Sequence, residues 1–236
     1  AKMKEILQIA KKYKLKVIED SCETMFVKGI GIGDVSCFSF YIAHLLVTGV
    51  GGMAITNDKK LSDLIRSLIF HGRDTRYLTI NDDDVPTEEI INARFKFNYP
   101  GYSYRSTEVE AALGLVELEN YKEMIKKRQK NAKYLDKYLS GFMFLELNYS
   151  ENHAFMMFPF FPISDRNKLI LKLERHGITT RTIMPLINQP YIKVRQDNFL
   201  LSKVVLNHGL LIGCHQDLTK KDLDYIIKII DTYDKC

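Results

Sequence analysis

The sequence predicts an α/β protein, and three observations carry that expectation. Short apolar runs of strand length alternate with stretches whose apolar residues recur at helical spacing. Hydrophobic residues make up 46% of the chain, which supports a buried core and argues against disorder. At 236 residues the chain accommodates one large domain or two smaller ones.

Residues 2–14, "KMKEILQIAKKYK", place Met3, Ile6, Leu7, Ile9 and Ala10 on one helical stripe with lysines opposite. "LKVIED" follows as a short buried strand. "DVSCFSFYIA" and "GGMAITND" read as two more strands, and "DKKLSDLIRSLIFHG" as a helix closed by Gly72. The polar stretch over 75–106, with its acidic run, Pro86, Pro100 and Gly101, reads as a long loop rather than a core element. Thr107 and Glu110 form a capping box that opens a long amphipathic helix or a bent pair of helices. The domain boundary is expected inside that segment, with residues 1–125 and 126–236 on its two sides. Beyond it, "HAFMMFPFFPI" reads as strand, "RNKLILKLERHG" as helix, "ITTRTIM" as strand and "TKKDLDYIIKIIDTYDK" as a final helix, which makes a smaller α+β domain. The chain opens in mid-pattern, on a helix and an interior-looking strand, so an amino-terminal part of the first domain is expected to be missing.

Bulk properties exclude several classes. The formal charge of +5 is spread along the chain, and its densest runs, "KKYKLK" and "KKRQKNAK", read as solvated helix faces. No nucleic-acid-binding module accompanies them, so no nucleic-acid partner is expected. The four cysteines lie far apart with no CxxC, which argues against a metal site or a disulfide framework and for a reducing, cytoplasmic setting. No run reaches the roughly 20 apolar residues of a membrane span, and the amino terminus lacks the apolar core of a signal peptide. A soluble protein with no membrane partner is the expectation.

Chemistry concentrates in a few short stretches. In "VIEDSCE", apolar residues run directly into Glu19 and Asp20 at the end of a strand, where ligands of open α/β sheets bind. A carboxylate there can hold a proton on a heterocyclic nitrogen, or can simply cap a helix. "FSFYIAH" offers the Ser39 hydroxyl and the His44 imidazole five residues apart, suited to phosphate binding and proton transfer or to structure alone. "TGVGG" permits a tight turn beside a bound group but lacks the spacing of a nucleotide-binding glycine motif. His71 and Arg73 in "HGRD" read as carboxyl-terminal capping of the preceding helix. Arg181 suits an anion or a nearby carboxylate, and Tyr41 suits stacking on a sugar or core packing. "FMMFPFF" reads as core.

The order and spacing of these pieces resemble one family. "VIEDSCE", "FSFYIAH", "TGVGGMAITND", "LIRSLIFHGR", "GYSYRSTEVEAALGLVELE" and "KRQKNAKYL" together are similar to the DegT-type sugar aminotransferases. Those are fold-type-I pyridoxal-phosphate enzymes acting on 4-keto nucleotide sugars. The resemblance implies a three-layer large domain followed by a small α+β domain, in a homodimer that builds each site from two chains. It implies that Asp20 pairs with the pyridine nitrogen, that Glu23 lies near the cofactor ring where glutamine is usual, and that Ser39 binds the cofactor phosphate. Ser103 falls where the family often has an asparagine that reaches the phosphate in the neighbouring subunit's site. Ile187 stands where a histidine is frequent near "PLINQPY".

His44 occupies the position at which the aminotransferases carry the lysine that bonds the cofactor covalently. An imidazole cannot form that bond, although it can still take and return a proton. A branch of the family with the same replacement, whose motifs look like "SFYPAH" and "EDNCD", consists of 4-keto-6-deoxy-sugar 3-dehydratases that use pyridoxamine phosphate. The resemblance therefore implies a 3-dehydratase with His44 as acid–base, pyridoxal or pyridoxamine phosphate as cofactor, a nucleotide-linked 4-keto sugar as substrate and glutamate as amino donor. Its alternatives are an aminotransferase with a noncovalently held cofactor, a noncatalytic family member that binds a nucleotide sugar or a partner, and a fragment whose site cannot form.

Overall fold

The computed structural model of the chain describes residues 2–74, 86–147, 149, 153–183, 186–191, 193 and 198–234. The chain divides into two compact units, Ala1–Tyr121 and Lys122–Cys236.

In the first unit, α1 (Met3–Tyr13) ends at Lys14, which turns left-handed and donates its N–H back to Ala10 and Lys11. A three-stranded sheet follows in the order β1 (Ile18–Asp20), β2 (Val35–Ser39), β3 (Gly52–Ile55). β1 runs parallel to β2, and β3 runs antiparallel to it. Two sequence expectations are corrected here. The apolar stripe of α1 is not covered, since only Ala10 is buried. β1 is not an apolar buried strand: Ile18 is 71% exposed while Glu19 is buried. The strand inverts because backbone donors wait for the carboxylate on the inner side.

Helix α2 (Lys59–Ile69) is capped by Asp58, whose carboxylate accepts the N–H groups of Lys60 and Leu61. It ends earlier than the sequence implies. His71 (φ 63°) and Gly72 (φ 77°) both turn left-handed after it. The His71 N–H then donates to the Tyr102 carbonyl at 2.7 Å. A side chain at Gly72 would stand 1.7 Å from the Tyr99 carbonyl oxygen, so glycine is required by the close approach of 99–101. Of the polar stretch expected as a loop, residues 75–85 lie outside the described residues. A short helix, α3 (Thr87–Ala93), forms within the remainder and buries none of its residues. α4 (Glu108–Leu139) is one continuous helix that crosses the division between the units. Its capping box forms: Glu110 accepts both the N–H and the hydroxyl of Thr107.

The second unit adds β4 (Phe158–Phe160), α5 (Arg166–Arg175), β5 (Thr180–Thr182), α6 (Leu200–His208), β6 (Leu210–Ile212) and α7 (Lys220–Asp234). Its antiparallel sheet has the order β4-β6-β5. The central strand β6 and helix α6 escape sequence reading, because three apolar residues carry no period. Leu135, Leu139, Phe158, Phe160, Leu169, Leu173, Leu210 and Ile212 are completely buried in one cluster. Most of the run "FMMFPFF" is core, and only Phe158–Phe160 of it pairs as strand. No described helix is long and apolar enough to cross a membrane.

Candidate functional site

The candidate residues gather where β1 and β2 end. Parallel register sets Asp20 opposite Cys37, and the Ser21 N–H extends the pairing to the Cys37 carbonyl at 2.9 Å. Asp20 and Ser39 thus lie at the carboxyl ends of adjacent parallel strands, the edge at which open α/β sheets bind ligands. Ser39 Oγ accepts the Tyr41 N–H at 3.3 Å, so its own proton is left to donate. The His44 N–H then donates to the Tyr41 carbonyl at 2.9 Å, closing a turn that sets the imidazole just beyond the strand.

The loop from Phe40 to Gly51 is closed at its base. Phe40 donates to the Gly51 carbonyl and accepts from the Thr48 N–H, both at 3.0 Å. Thr48 is buried, its hydroxyl donates to Val50 at 2.6 Å, and its methyl lies 3.3 Å from where a side chain at Gly114 of α4 would begin. Gly51 (φ 120°) and Gly52 admit no side chain cheaply; at Gly52 a Cβ would sit 2.6 Å from the Phe38 carbonyl oxygen. The expected tight turn forms.

His44 is half-buried, and its Nδ1 is buried with no hydrogen-bond partner. The Tyr41 ring meets the imidazole edge-on at 5.9 Å between centroids. Asp20 is exposed, and its carboxyl is held below the usual range by the Cys22 thiol and N–H, against burial, with a smaller contribution from His44. The Cys22 thiol is pushed up to about 11, by burial first and then by Asp20, so it stays protonated at neutral pH. The Asp20 carboxylate is accordingly ionised at neutral pH. Glu23 is exposed in the turn after β1. Ser103 is also exposed, on a segment that pairs with Phe70. Among the described residues no hydrogen bond or ion pair joins Ser103 to Asp20, Ser39 or His44.

Glu19, beside Asp20 at the end of β1, turns inward, where the chain's own backbone holds it. Its buried carboxylate accepts the N–H groups of Gly31, Ile32 and Gly33. Burial would raise its pKa, but these three donors outweigh burial and lower it. The signal lay in "GIGIGD", where alternate glycines free the backbone N–H groups to converge on one anion. In "HGRD" the Gly72 N–H donates to the Ser67 carbonyl at 2.7 Å and the Arg73 N–H to the Phe70 carbonyl at 3.2 Å, so backbone groups close the end of α2. Arg73 lies over the rings of Phe70, Phe95 and Phe97, and the Arg105 guanidinium covers Phe70 and meets His71 Nε2 at 3.4 Å. These groups pin the 95–105 segment to the end of α2. Arg181 is exposed on β5, in the second unit. A cavity of about 980 Å³ opens between β3 and α2, with Met53, Arg66 and Arg105 among its walls, but none of the candidate residues lines it.

Comparison with known proteins bears on this arrangement. Residues 1–231 match the model of the DegT/DnrJ/EryC1/StrS aminotransferase family. The chain is 28% identical to a GDP-perosamine synthase of Caulobacter vibrioides, over 97% of this chain and 62% of that one. It is 27% identical to a GDP-4-keto-6-deoxy-D-mannose 3-dehydratase of Yersinia pseudotuberculosis, over 94% and 62%. Among solved structures, an Escherichia coli GDP-4-keto-6-deoxy-D-mannose-3-dehydratase with bound hydrated PLP superposes with a TM-score of 0.82 at 25% identity, over 98% of this chain and 64% of that one. The chain spans about three fifths of the length of the curated relatives it matches. Its fold is that of the fold-type-I aminotransferases, and the chain belongs to the DegT/DnrJ/EryC1/StrS aminotransferase family.

Proposed function

We propose that the chain is the carboxyl-side part of a pyridoxal- or pyridoxamine-phosphate enzyme that acts on a nucleotide-linked 4-keto-6-deoxy sugar as a 3-dehydratase. The observation that carries this reading is His44, an imidazole with a buried, unpartnered Nδ1 set just beyond the strand that ends at Ser39. The residues present fit the cofactor. Asp20 is an ionised carboxylate at a strand end, suited to holding a proton on a ring nitrogen. Ser39 keeps a free hydroxyl proton for a phosphate oxygen, and the loop that follows it is closed at its base by the Phe40–Gly51 and Thr48–Phe40 backbone bonds. Glu23 borders the same edge, and Ser103 is assigned to the phosphate of a partner chain's site in a homodimer. Residues 1–125 then belong to the cofactor-binding domain and 126–236 to the small domain.

When bound, pyridoxamine phosphate supplies an amine that bonds a keto carbon and a ring that takes up an electron pair. With the cofactor bound, Asp20 would keep the ring nitrogen protonated. His44 would take the proton from the carbon that bears the amine nitrogen and deliver it to the departing carbon-3 hydroxyl, which leaves as water. An imidazole forms no covalent bond to the cofactor, so Asp20, Glu23 and Ser39 would hold it by noncovalent contacts alone.

The 28% identity to a GDP-perosamine synthase supports a second reading, an aminotransferase. Both are tested by incubating the full chain with pyridoxal phosphate, glutamate and GDP-4-keto-6-deoxy-D-mannose, then weighing the sugar product. Loss of the carbon-3 oxygen supports the dehydratase, and gain of an amino group the aminotransferase. Unchanged sugar with no visible cofactor band would refute both.

A further inference from the structure

Glu19 takes no part in the proposed chemistry, yet it is the most heavily bonded side chain at the end of β1. Its Oε2 accepts the Gly31 N–H at 3.0 Å, and its Oε1 accepts the N–H groups of Ile32, at 2.7 Å, and Gly33. Three successive backbone donors form a nest of the kind that holds free anions, and here the chain supplies its own. Gly31 reaches this geometry with φ 76°. Gly33 is required by space, because a Cβ there would lie 2.9 Å from the Val17 carbonyl oxygen and 3.0 Å from Glu19 Oε1. One residue on, the Asp34 N–H donates to the Val17 carbonyl at 2.9 Å, while its carboxylate accepts the Val17 N–H at 2.8 Å. The loop before β2 is thereby strapped to β1 on both sides of Ile18.

We infer that Glu19 is the positioning residue for Asp20: by filling the Gly31–Gly33 nest it anchors the inner face of β1 and so aims the Asp20 carboxylate on the outer face. The physical reason is alternation. Neighbouring strand residues point to opposite faces, so fixing one side chain rotates the other into a set direction. β1 has only three residues, too few for its ladder bonds alone to hold its end. The inference rests on the assignment of Asp20 to the cofactor, but its test does not need the cofactor.

The test follows the carboxyl carbon of Asp20 by NMR during a pH titration of the full chain. In Glu19→Gln an amide NH₂ replaces one carboxylate oxygen and faces a backbone N–H, so the nest loses an acceptor. The groups that bear on Asp20, namely Cys22 and His44, are untouched. The expected result is a rise of the Asp20 midpoint toward the ordinary 3.8 in the folded variant, with Asp34 unmoved. Glu19→Asp, which keeps the charge but falls short of the nest, should give an intermediate rise. A folded Glu19→Gln with the wild-type Asp20 titration overturns the inference, because a role in stability alone leaves that titration in place. Should Glu19→Gln fail to fold, Gly33→Ala carries the same test by pressing a Cβ onto an intact Glu19. Pyridoxal phosphate affinity, read by absorbance, separates the two assignments. If the Asp20 titration moves while Glu19→Gln and Asp20→Asn both bind the cofactor as wild type does, the cofactor role of Asp20 fails and the positioning role stands.

Discussion

Asp20 stands opposite Cys37 in the parallel β1–β2 pair, so Ser39, two residues beyond Cys37, lies at the same edge of the sheet as the Asp20 carboxylate. An acceptor and a donor, the ionised Asp20 carboxylate and the Ser39 hydroxyl, thereby lie at one edge of the sheet. Asp20→Asn should weaken pyridoxal phosphate binding by at least about tenfold, the equivalent of one charge-assisted hydrogen bond of about 1.5–3 kcal/mol. Absorbance titration measures it. Because Asp20 is exposed, the melting temperature should hardly change.

Replacement of His44 separates chemistry from binding. His44→Asn should keep cofactor affinity within a few fold and reduce removal of the carbon-3 hydroxyl by about 10²–10⁴-fold, the usual contribution of a positioned acid–base. Single-turnover mass spectrometry of the sugar reads this directly. Wild-type turnover in the variant would remove His44 from the mechanism.

Acid should weaken the fold through Glu19. Its carboxyl is lowered from the ordinary 4.5 by the three N–H donors, so the folded state binds fewer protons than the unfolded one. That contribution is complete above about pH 4.5 and is lost as pH falls through the lowered folded value. Urea midpoints taken from neutral pH down to about pH 3 should therefore fall less steeply in Glu19→Gln than in the wild type. Equal slopes would mean that the nest holds Glu19 no better than water does.

The two units should differ in their response to truncation. Leu135 is completely buried, and Leu135→Ala should cost about 2–5 kcal/mol. Ile18 is 71% exposed in the first unit, and Ile18→Ala should stay within about 0.5 kcal/mol of wild type. Denaturant melts of the two variants test the contrast.

Much of the fold can be read from local pattern. α2, α4, α5 and α7 declare themselves through caps and helical period, with Asp58 and the Thr107–Glu110 box marking two of the starts. β6 does not, since Leu210–Ile212 is three apolar residues whose place between β4 and β5 depends on partners about 30 and 50 residues upstream. Among the site residues, Asp20, Ser39 and His44 follow from "VIED" and "FSFYIAH". Glu19 does not, because its donors lie 12 to 14 residues away and a buried carboxylate is the opposite of what an apolar run implies. A still longer separation hid the role of Arg73, whose aromatic partners include Phe95 and Phe97 across a polar stretch.

By itself the amino-acid sequence determined the class of fold, the family and the imidazole at position 44, because each is written in residue types and spacings within a few turns or strands. The tertiary structure alone decided which face of β1 turns inward, where α2 releases the chain, and that the His44 Nδ1 is left buried without a partner. Those outcomes depend on which backbone donors and carbonyls meet across the fold, and a buried polar group takes whichever partner the packing brings to it.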